Sequence, residues 1–314
     1  MPSDNLDELV DKTRRAVDQA SLLQGIHPDQ RASDQLRSAI LAGLSDPGAI
    51  KALLNTPDAF EKWVKNLLAY IERIAGGVYS DSEILGAIRR GNIICHPLVP
   101  ANIKGSSVDV TLGGDGFFVA NANKSPIYDH RNPEDIERFF RAEKPKPHRE
   151  FCESNGLGLL ANLPDDALVI PVFPGERILA HTHEFIGILP PGTTSMQSRS
   201  TIGRNGIAVC IDAGWGDPGY ATRWTMEIHN FNQELCILAV GDRIAQIVFH
   251  HTGAVLRPYG GTSSKYHTAS VSLEKTIADW SVKRMIPRAD KDEFVAPLPL
   301  LPIPDYSIAN LEEG

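Results

Sequence analysis

Cysteine is scarce in this chain. The four residues Cys95, Cys152, Cys210 and Cys236 lie far apart in 314 positions and form no C-x-x-C pair. That spacing offers neither a disulfide framework nor a zinc-finger pattern, and leaves reduced thiols packed as small apolar groups. An excess of positive charge is also missing. With 31 Lys+Arg against 39 Asp+Glu, the formal charge is −8, so the chain lacks the basic field of a dedicated duplex-nucleic-acid binder. A nucleotide ligand stays open, because a few local arginines decide that within a Debye length of about 8 Å. No run approaches the roughly 20 apolar residues of a membrane span. The opening MPSDNLDELVDK has no apolar core of a signal peptide, so a soluble, cytoplasmic protein is expected. No internal repeat is present. Hydrophobic residues at 42% and charged residues at 22% exclude whole-chain disorder and collagen-like architecture.

Three apolar stripes at helical spacing occupy the first 78 residues. One runs from Leu6 to Ala20, one from Leu36 to Leu44 behind a Ser33 N-cap, and one from Phe60 to Ile74. The third begins after Pro57, suited to a first helical position, and ends at Gly76-Gly77. This predicts a helical module, residues 1–78, whose apolar faces bury against each other or against a protein partner. Ser80-Asp-Ser-Glu83 reads as a capping box, with Gly91 as the stop. The pattern then changes. SSVDVTLG (106–113), GFFVA (116–120), DALVIPV (166–172), RILAHTHEFIGIL (177–189), IAVCI (207–211), RWTMEIHNF (223–231), ELCILAV (234–240) and RIAQIVFHH (243–251) are short and alternating or β-branched. Such segments predict a mainly β sandwich, jelly roll or barrel over residues 79–272. The charged stretch 130–165 reads as an insertion holding a helix at PEDIERFFRAEK. Residues 273–314 carry a helix at LEKTIADW and a Pro-rich tail of extended geometry.

The densest chemistry lies between Gln197 and Asn230. QSRSTIGRNG (197–206) combines Arg199 and Arg204 with hydroxyls and glycines. It suits either an anion-binding loop, whose amides and guanidinium forks hold phosphate oxygens, or an ordinary charged turn. Asp217-Pro-Gly-Tyr220 is a tight turn. In RWTMEIHNF, Trp224, Met226 and Ile228 alternate with Thr225, Glu227 and His229. Glu227 thus shares a strand face with Thr225 and His229, as a solvated side chain or as a carboxylate placed to move protons. GDRIAQI (241–247) is explained by a turn and a strand. The segment Arg257 to Tyr266 mixes glycines with Tyr259 and Lys265, and reads as a mobile linker or as a loop that closes over a polyanion.

The order SSVDVTLG, QSRSTIGRNG, AGWGDPGY, MEIHN, GDRIAQI, SSKY resembles the dCTP deaminase branch of the trimeric dUTPase superfamily, over about residues 79–270. The opening YSDSEILGAIRRGNIICHP looks like that family's N-terminus. The resemblance implies a distorted jelly-roll β-barrel, to which the periodicity adds the N-terminal helical module, and a homotrimer with active sites between subunits; residues 1–78 and the tail after 272 lie outside the resemblance. It implies that Arg199, Ser200, Thr201 and Arg204 hold the triphosphate of dCTP or dUTP. Asp217 then meets the deoxyribose with Tyr220 beside it. Thr225 to Glu227 reads the pyrimidine, and Tyr259 and Lys265 fold over the phosphates. Glu227 stands at the catalytic glutamate, with Arg204 and the backbone near Ala213 orienting it and the water. Mg2+ is implied as a companion of the triphosphate. A zinc deaminase would need H-x-E and P-C-x-x-C, and no P-C-x-x-C occurs; His181-Thr-His-Glu184 and Cys95-His96-Pro97 imitate such a site only superficially.

The expected reaction is hydrolysis of dCTP to dUTP and ammonia. Alternatives are a bifunctional enzyme continuing to dUMP and pyrophosphate, a plain dUTPase, and a non-catalytic nucleotide sensor whose helical module binds a partner. Plain dUTPases carry an apolar residue where Glu227 sits. Three departures from the family pattern stand out. Cys210-Ile-Asp212-Ala213 replaces H-x-T-A, adding a carboxylate that either raises the pKa of Glu227 by repulsion or supports a second step. Lys265-Tyr266 is followed by His267-Thr-Ala269 in place of the family's Gln. The turn GYATRW lacks the usual second glycine.

Overall fold

The computed structural model describes residues 77–120, 126–253, 255–256, 258–260, 265–266, 272–292 and 294–295. The helices expected before Gly77 and the Pro-rich tail lie outside these residues. The described chain is mainly β, with 14 strands in three antiparallel sheets. None of its helices is long and apolar enough to cross a membrane.

Entry to the fold is by backbone pairing. Val78 bridges His250, Tyr79 N donates to Phe249 O at 2.9 Å, and His251 N donates to Gly77 O at 2.9 Å. Helix α1 (Asp81–Arg89) begins at the capping box: Ser80 Oγ accepts from Glu83 N, and Glu83 Oε2 accepts from Ser80 N at 2.8 Å. Strands β1 (Ile93–His96), β2 (Ile103–Lys104), β3 (Ser107–Thr111) and β4 (Phe117–Val119) follow. Helix α2 (Pro133–Phe139) is capped by Asn132, whose side chain accepts from Glu134 N at 2.9 Å. The sequence pattern extended this helix to Lys144. Instead it stops at Phe139, and β5 (Arg141–Glu143) pairs with β4. Phe140 and Ile136 turn inward onto Phe118 and Leu179, and that burial outweighs helix propagation through RAE. β6 (Lys146–Pro147), α3 (His148–Ser154) and β7 (Leu168–Val172) complete this region.

The centre of the fold is β8 (Arg177–Ile188), which pairs with β12 (Ala221–Asn230) on one side and with β4 and β1 on the other. β10 (Ile207–Ala208) extends this sheet beyond β12. Opposite it lies the order β11-β9-β14-β3-β2, with β9 at Gly192–Ser198, β11 at Trp215–Gly216 and β14 at Arg243–His251. β13 (Cys236–Ala239) pairs with β7 in the third sheet. The main core is contributed by both large sheets, with Val108, Val110, Ile178, Ile186, Met226, Ile228, Ile247 and Phe249 all buried. Each such side chain is worth about 1.5–3 kcal/mol of transfer free energy. Helix α4 (Ser200–Arg204) follows β9, and α5 (Leu273–Asp279) matches the helix expected at LEKTIADW. A 3-10 turn at Val282–Met285 then packs against the outer face of β8.

Candidate active site

Strand β12 separates structural from chemical side chains by its two-residue period. Trp224, Met226 and Ile228 are buried in the core, and Thr225 and Glu227 lie on the other face. A register shift between Arg223 and Thr225 marks a bulge in β8 opposite Trp224, where residues 182–184 face that one residue. Its amide is satisfied there by Thr182 Oγ1 at 2.9 Å and its indole N–H by Ile186 O at 2.9 Å. The bulge is therefore fixed, and with it the aim of the following residues.

The outward face lines a cavity of about 470 Å³ shared by Glu227, Thr225, Ala213, Asp217, Tyr220 and Tyr259. Glu227 Oε2 is buried without a hydrogen-bond partner among the described residues. Burial pushes the Glu227 carboxyl above the ordinary carboxylate range; its own backbone amide and the Arg177 charge oppose that shift. The expected direction is present, but burial rather than repulsion from Asp212 is its main cause. Asp212 acts on Cys210 instead. That thiol is pushed up to about 12 by burial first, then by Glu227 and Asp212, and stays a neutral SH.

The Asp-Pro-Gly turn is built for close approach. Tyr220 N donates to Asp217 O at 2.8 Å. Gly219 has φ +99°, and a Cβ there would sit 2.7 Å from Tyr259 O. Tyr259 N donates to Pro218 O at 2.8 Å, so the turn docks the start of the 258–266 segment. The Tyr220 ring stands edge-on to Trp224 at 5.1 Å and to Tyr259 at 5.3 Å. Burial raises the Tyr220 phenol, with smaller contributions from Tyr259 and Glu227, and keeps it protonated.

The arginine-and-hydroxyl loop lies elsewhere in the single chain. Arg199, Ser200, Thr201 and Arg204 form the N-cap and body of α4, and none of them lines the cavity that holds Glu227. Arg199 Nε is 3.3 Å from the buried Asp109 carboxylate, which also takes Arg243 at 3.2 Å. Lys265 is not at the cavity either; its ammonium is ion-paired with Asp292. His181 is fully buried with Nδ1 2.9 Å from Thr182 O, and burial lowers its pKa to about 4. It is a neutral core residue.

Sequence reasoning missed Arg177, Arg223, Trp215, Trp280, Arg284 and Met285, all of which line the cavity. Arg223 shares the parity of Thr225 and Glu227, so strand period alone could have found it. Arg177 sits on β8 opposite His229, a register no local pattern encodes.

A nucleotide-sized cavity holding a buried carboxylate, in a fold of antiparallel sheets, defines a class, and comparison with known proteins gives it a family. Residues 78–252 match the family model described as dCTP deaminase-like, and the chain belongs to that family. The "dCTP deaminase, dUMP-forming" of Methanopyrus kandleri is 34% identical over 198 residues, spanning 60% of this chain and 90% of that protein. The "dCTP deaminase" of Haloarcula marismortui is 30% identical over 197 residues, spanning 62% and 91%. Among solved structures, the 2'-deoxycytidine 5'-triphosphate deaminase of Agrobacterium tumefaciens aligns over 58% of this chain and 50% of its own, with 17% identity and a TM-score of 0.41.

Proposed function

We propose that this protein deaminates dCTP, with Glu227 as the proton carrier. The observation that carries this reading is the Glu227 carboxyl: buried, unpartnered at Oε2, raised in pKa, and facing a cavity of nucleotide size. The water oxygen attacks C4 of cytosine. Glu227 takes one water proton and delivers it to N3. The second water proton passes to the exocyclic amine, the C4–N bond breaks, and ammonia leaves as the C4 carbonyl forms. A carboxyl whose pKa lies closer to neutrality serves both the accepting and donating step, and such acid–base catalysis is worth about 10²–10⁴-fold. Arg204 and the Ala213 backbone orient the water.

The substrate contacts follow the family resemblance. Thr225 reads the base, Asp217 meets the deoxyribose, and Tyr220 packs against the sugar where a 2'-hydroxyl would clash. Arg199, Ser200, Thr201 and Arg204 hold the triphosphate, and Tyr259 and Lys265 close over it. Of these, Tyr259 lines the Glu227 cavity of its own chain, whereas Arg199, Ser200, Thr201, Arg204 and Lys265 do not. A homotrimer of dUTPase-like jelly rolls, with each site shared between neighbours, brings them to a neighbour's carboxylate. Among the described residues no group of three or more His, Cys, Asp and Glu converges as a metal site. Mg2+ accompanies the triphosphate oxygens in this reading, where it neutralises phosphate charge.

The dUMP-forming name of the Methanopyrus relative favours a second reading, in which the product goes on to dUMP and pyrophosphate. Purified protein is incubated with dCTP, and separately with dUTP, in the presence of Mg2+. Ammonia from dCTP supports deamination, and its absence overturns it. Pyrophosphate from dCTP alongside ammonia supports the second reading. Glu227→Gln is expected to abolish ammonia release while dCTP still binds.

A further inference from the structure

The family match ends at residue 252, yet the cavity does not. Trp280, Arg284, Met285 and Pro287 line it together with Glu227. The contact is specific. Leu179 stands directly across from Glu227 in the β8–β12 register. Met285, 4% exposed, packs on Leu179 in one cluster with Phe118, Ile136 and Phe140. At the other end, the Trp280 ring lies 4.7 Å from the Arg223 guanidinium, which also meets Phe185 at 4.9 Å and pairs with Asp115 at 2.5 Å.

The segment is tied to its neighbours. Arg284 Nε donates to Asp279 O at 2.9 Å, Arg288 N donates to Tyr266 Oη at 3.0 Å, and Arg288 Nη1 donates to Lys265 O at 2.8 Å. It is thus joined to the segment that carries Tyr259 and Lys265.

We propose that residues 280–287 form a wall of the catalytic pocket, supplied from outside the family-matched residues, with Trp280 and Met285 as positioning residues that keep water from the Glu227 carboxyl. The proposal deepens the deaminase reading and takes Glu227 from it as the group to be shielded. The charged and titratable groups around that carboxyl are Arg177 on β8, Arg223 on β12 and Asp217 in the turn before it, with Cys210 near enough to feel the Glu227 charge. Tyr220 and Tyr259 flank the turn, and Arg284 belongs to the wall itself. Met285→Ala touches none of these groups, so a shift in Glu227 titration in that variant reports water; Trp280→Leu also removes the ring that lies against Arg223 and His181 and is read alongside it.

The test uses the full chain labelled with 13C at glutamate carboxyls, the Glu227 resonance being assigned by its loss in Glu227→Gln. Met285→Ala and Trp280→Leu are expected to lower the Glu227 titration midpoint by about one pH unit. The acid limb of kcat for dCTP should move down with it, with kcat at neutral pH falling roughly tenfold and KM little changed. Circular dichroism checks folding; if Met285→Ala does not fold, the milder Met285→Val decides. An unchanged midpoint in a folded variant overturns the wall. If the wild type releases no ammonia while the midpoint still falls, the deaminase reading fails and the wall stands. If the wild type deaminates and neither midpoint nor kcat moves, the wall fails and the deaminase reading stands.

Discussion

Lys265 and Asp292 are ion-paired, and the lysine assigned to the substrate phosphates is thereby held by a carboxylate of its own chain. Both side chains reach solvent, so the pair is worth about 0–1 kcal/mol. On the proposed reading, triphosphate binding displaces it. Asp292→Asn is therefore expected to lower the KM for dCTP by about two- to fivefold with kcat unchanged, within the energy of such a pair. Steady-state kinetics at low and moderate salt check this, and a KM that rises would place Lys265 away from the phosphates.

The raised pKa of Glu227 is also a statement about stability. Its folded-state pKa lies above the unfolded value, so the folded form binds the proton more tightly and stability falls as pH rises through that interval. Glu227→Gln removes this dependence. The variant should melt at a higher temperature than the wild type at pH 8, with the gap closing as pH falls below the ordinary carboxylate range. Equal melting temperatures at pH 8 would contradict the burial argument.

Asp109 holds Arg199 and Arg243 at once and is 2% exposed. Removing the carboxylate leaves two guanidinium groups sharing a buried edge. Asp109→Ala should cost roughly 2–4 kcal/mol in urea unfolding, at or below the usual range for broken buried pairs because both arginines reach water. It should also raise the KM for dCTP, since Arg199 loses its anchor. Loss of stability without any change in KM would confine Asp109 to the core.

Tyr220 stands between Trp224 and Tyr259, edge-on to both. That fixed ring is the feature expected to reject a ribose. Tyr220→Ala should narrow the preference for dCTP over CTP, read as the ratio of kcat/KM for the two nucleotides. A wild type that turns over both equally would refute the placement of the aromatic at the sugar.

The strands at 223–231 and 243–251 were legible because their apolar residues alternate, and β12 and β14 lie there. The capping box at Ser80–Glu83 was legible because its two hydrogen bonds are local. β9 was not. Its Thr193 and Thr194 are buried, with both hydroxyls donating to Gly216 O at 2.7 and 3.2 Å. The two threonines point to opposite faces and are buried with their hydroxyls hydrogen-bonded, and Met196 is the one apolar side chain in GTTSMQS, which leaves no hydrophobic period for a sequence reading to find. At the site, Glu227, Asp217, Tyr220 and Tyr259 line one cavity. The wall at Trp280 and Met285 did not announce itself, because its partners Arg223 and Leu179 are distant in sequence and only strand register brings them near.

The doorway of the fold has its own implication. Gly77, Val78 and Tyr79 join the sheet at Phe249, His250 and His251, the last residues of β14, and the segment bearing Tyr259 and Lys265 departs from that same end. A load applied at Gly77 is therefore carried by three backbone pairings straight to the end of β14, beside the point where the chain leaves for Tyr259.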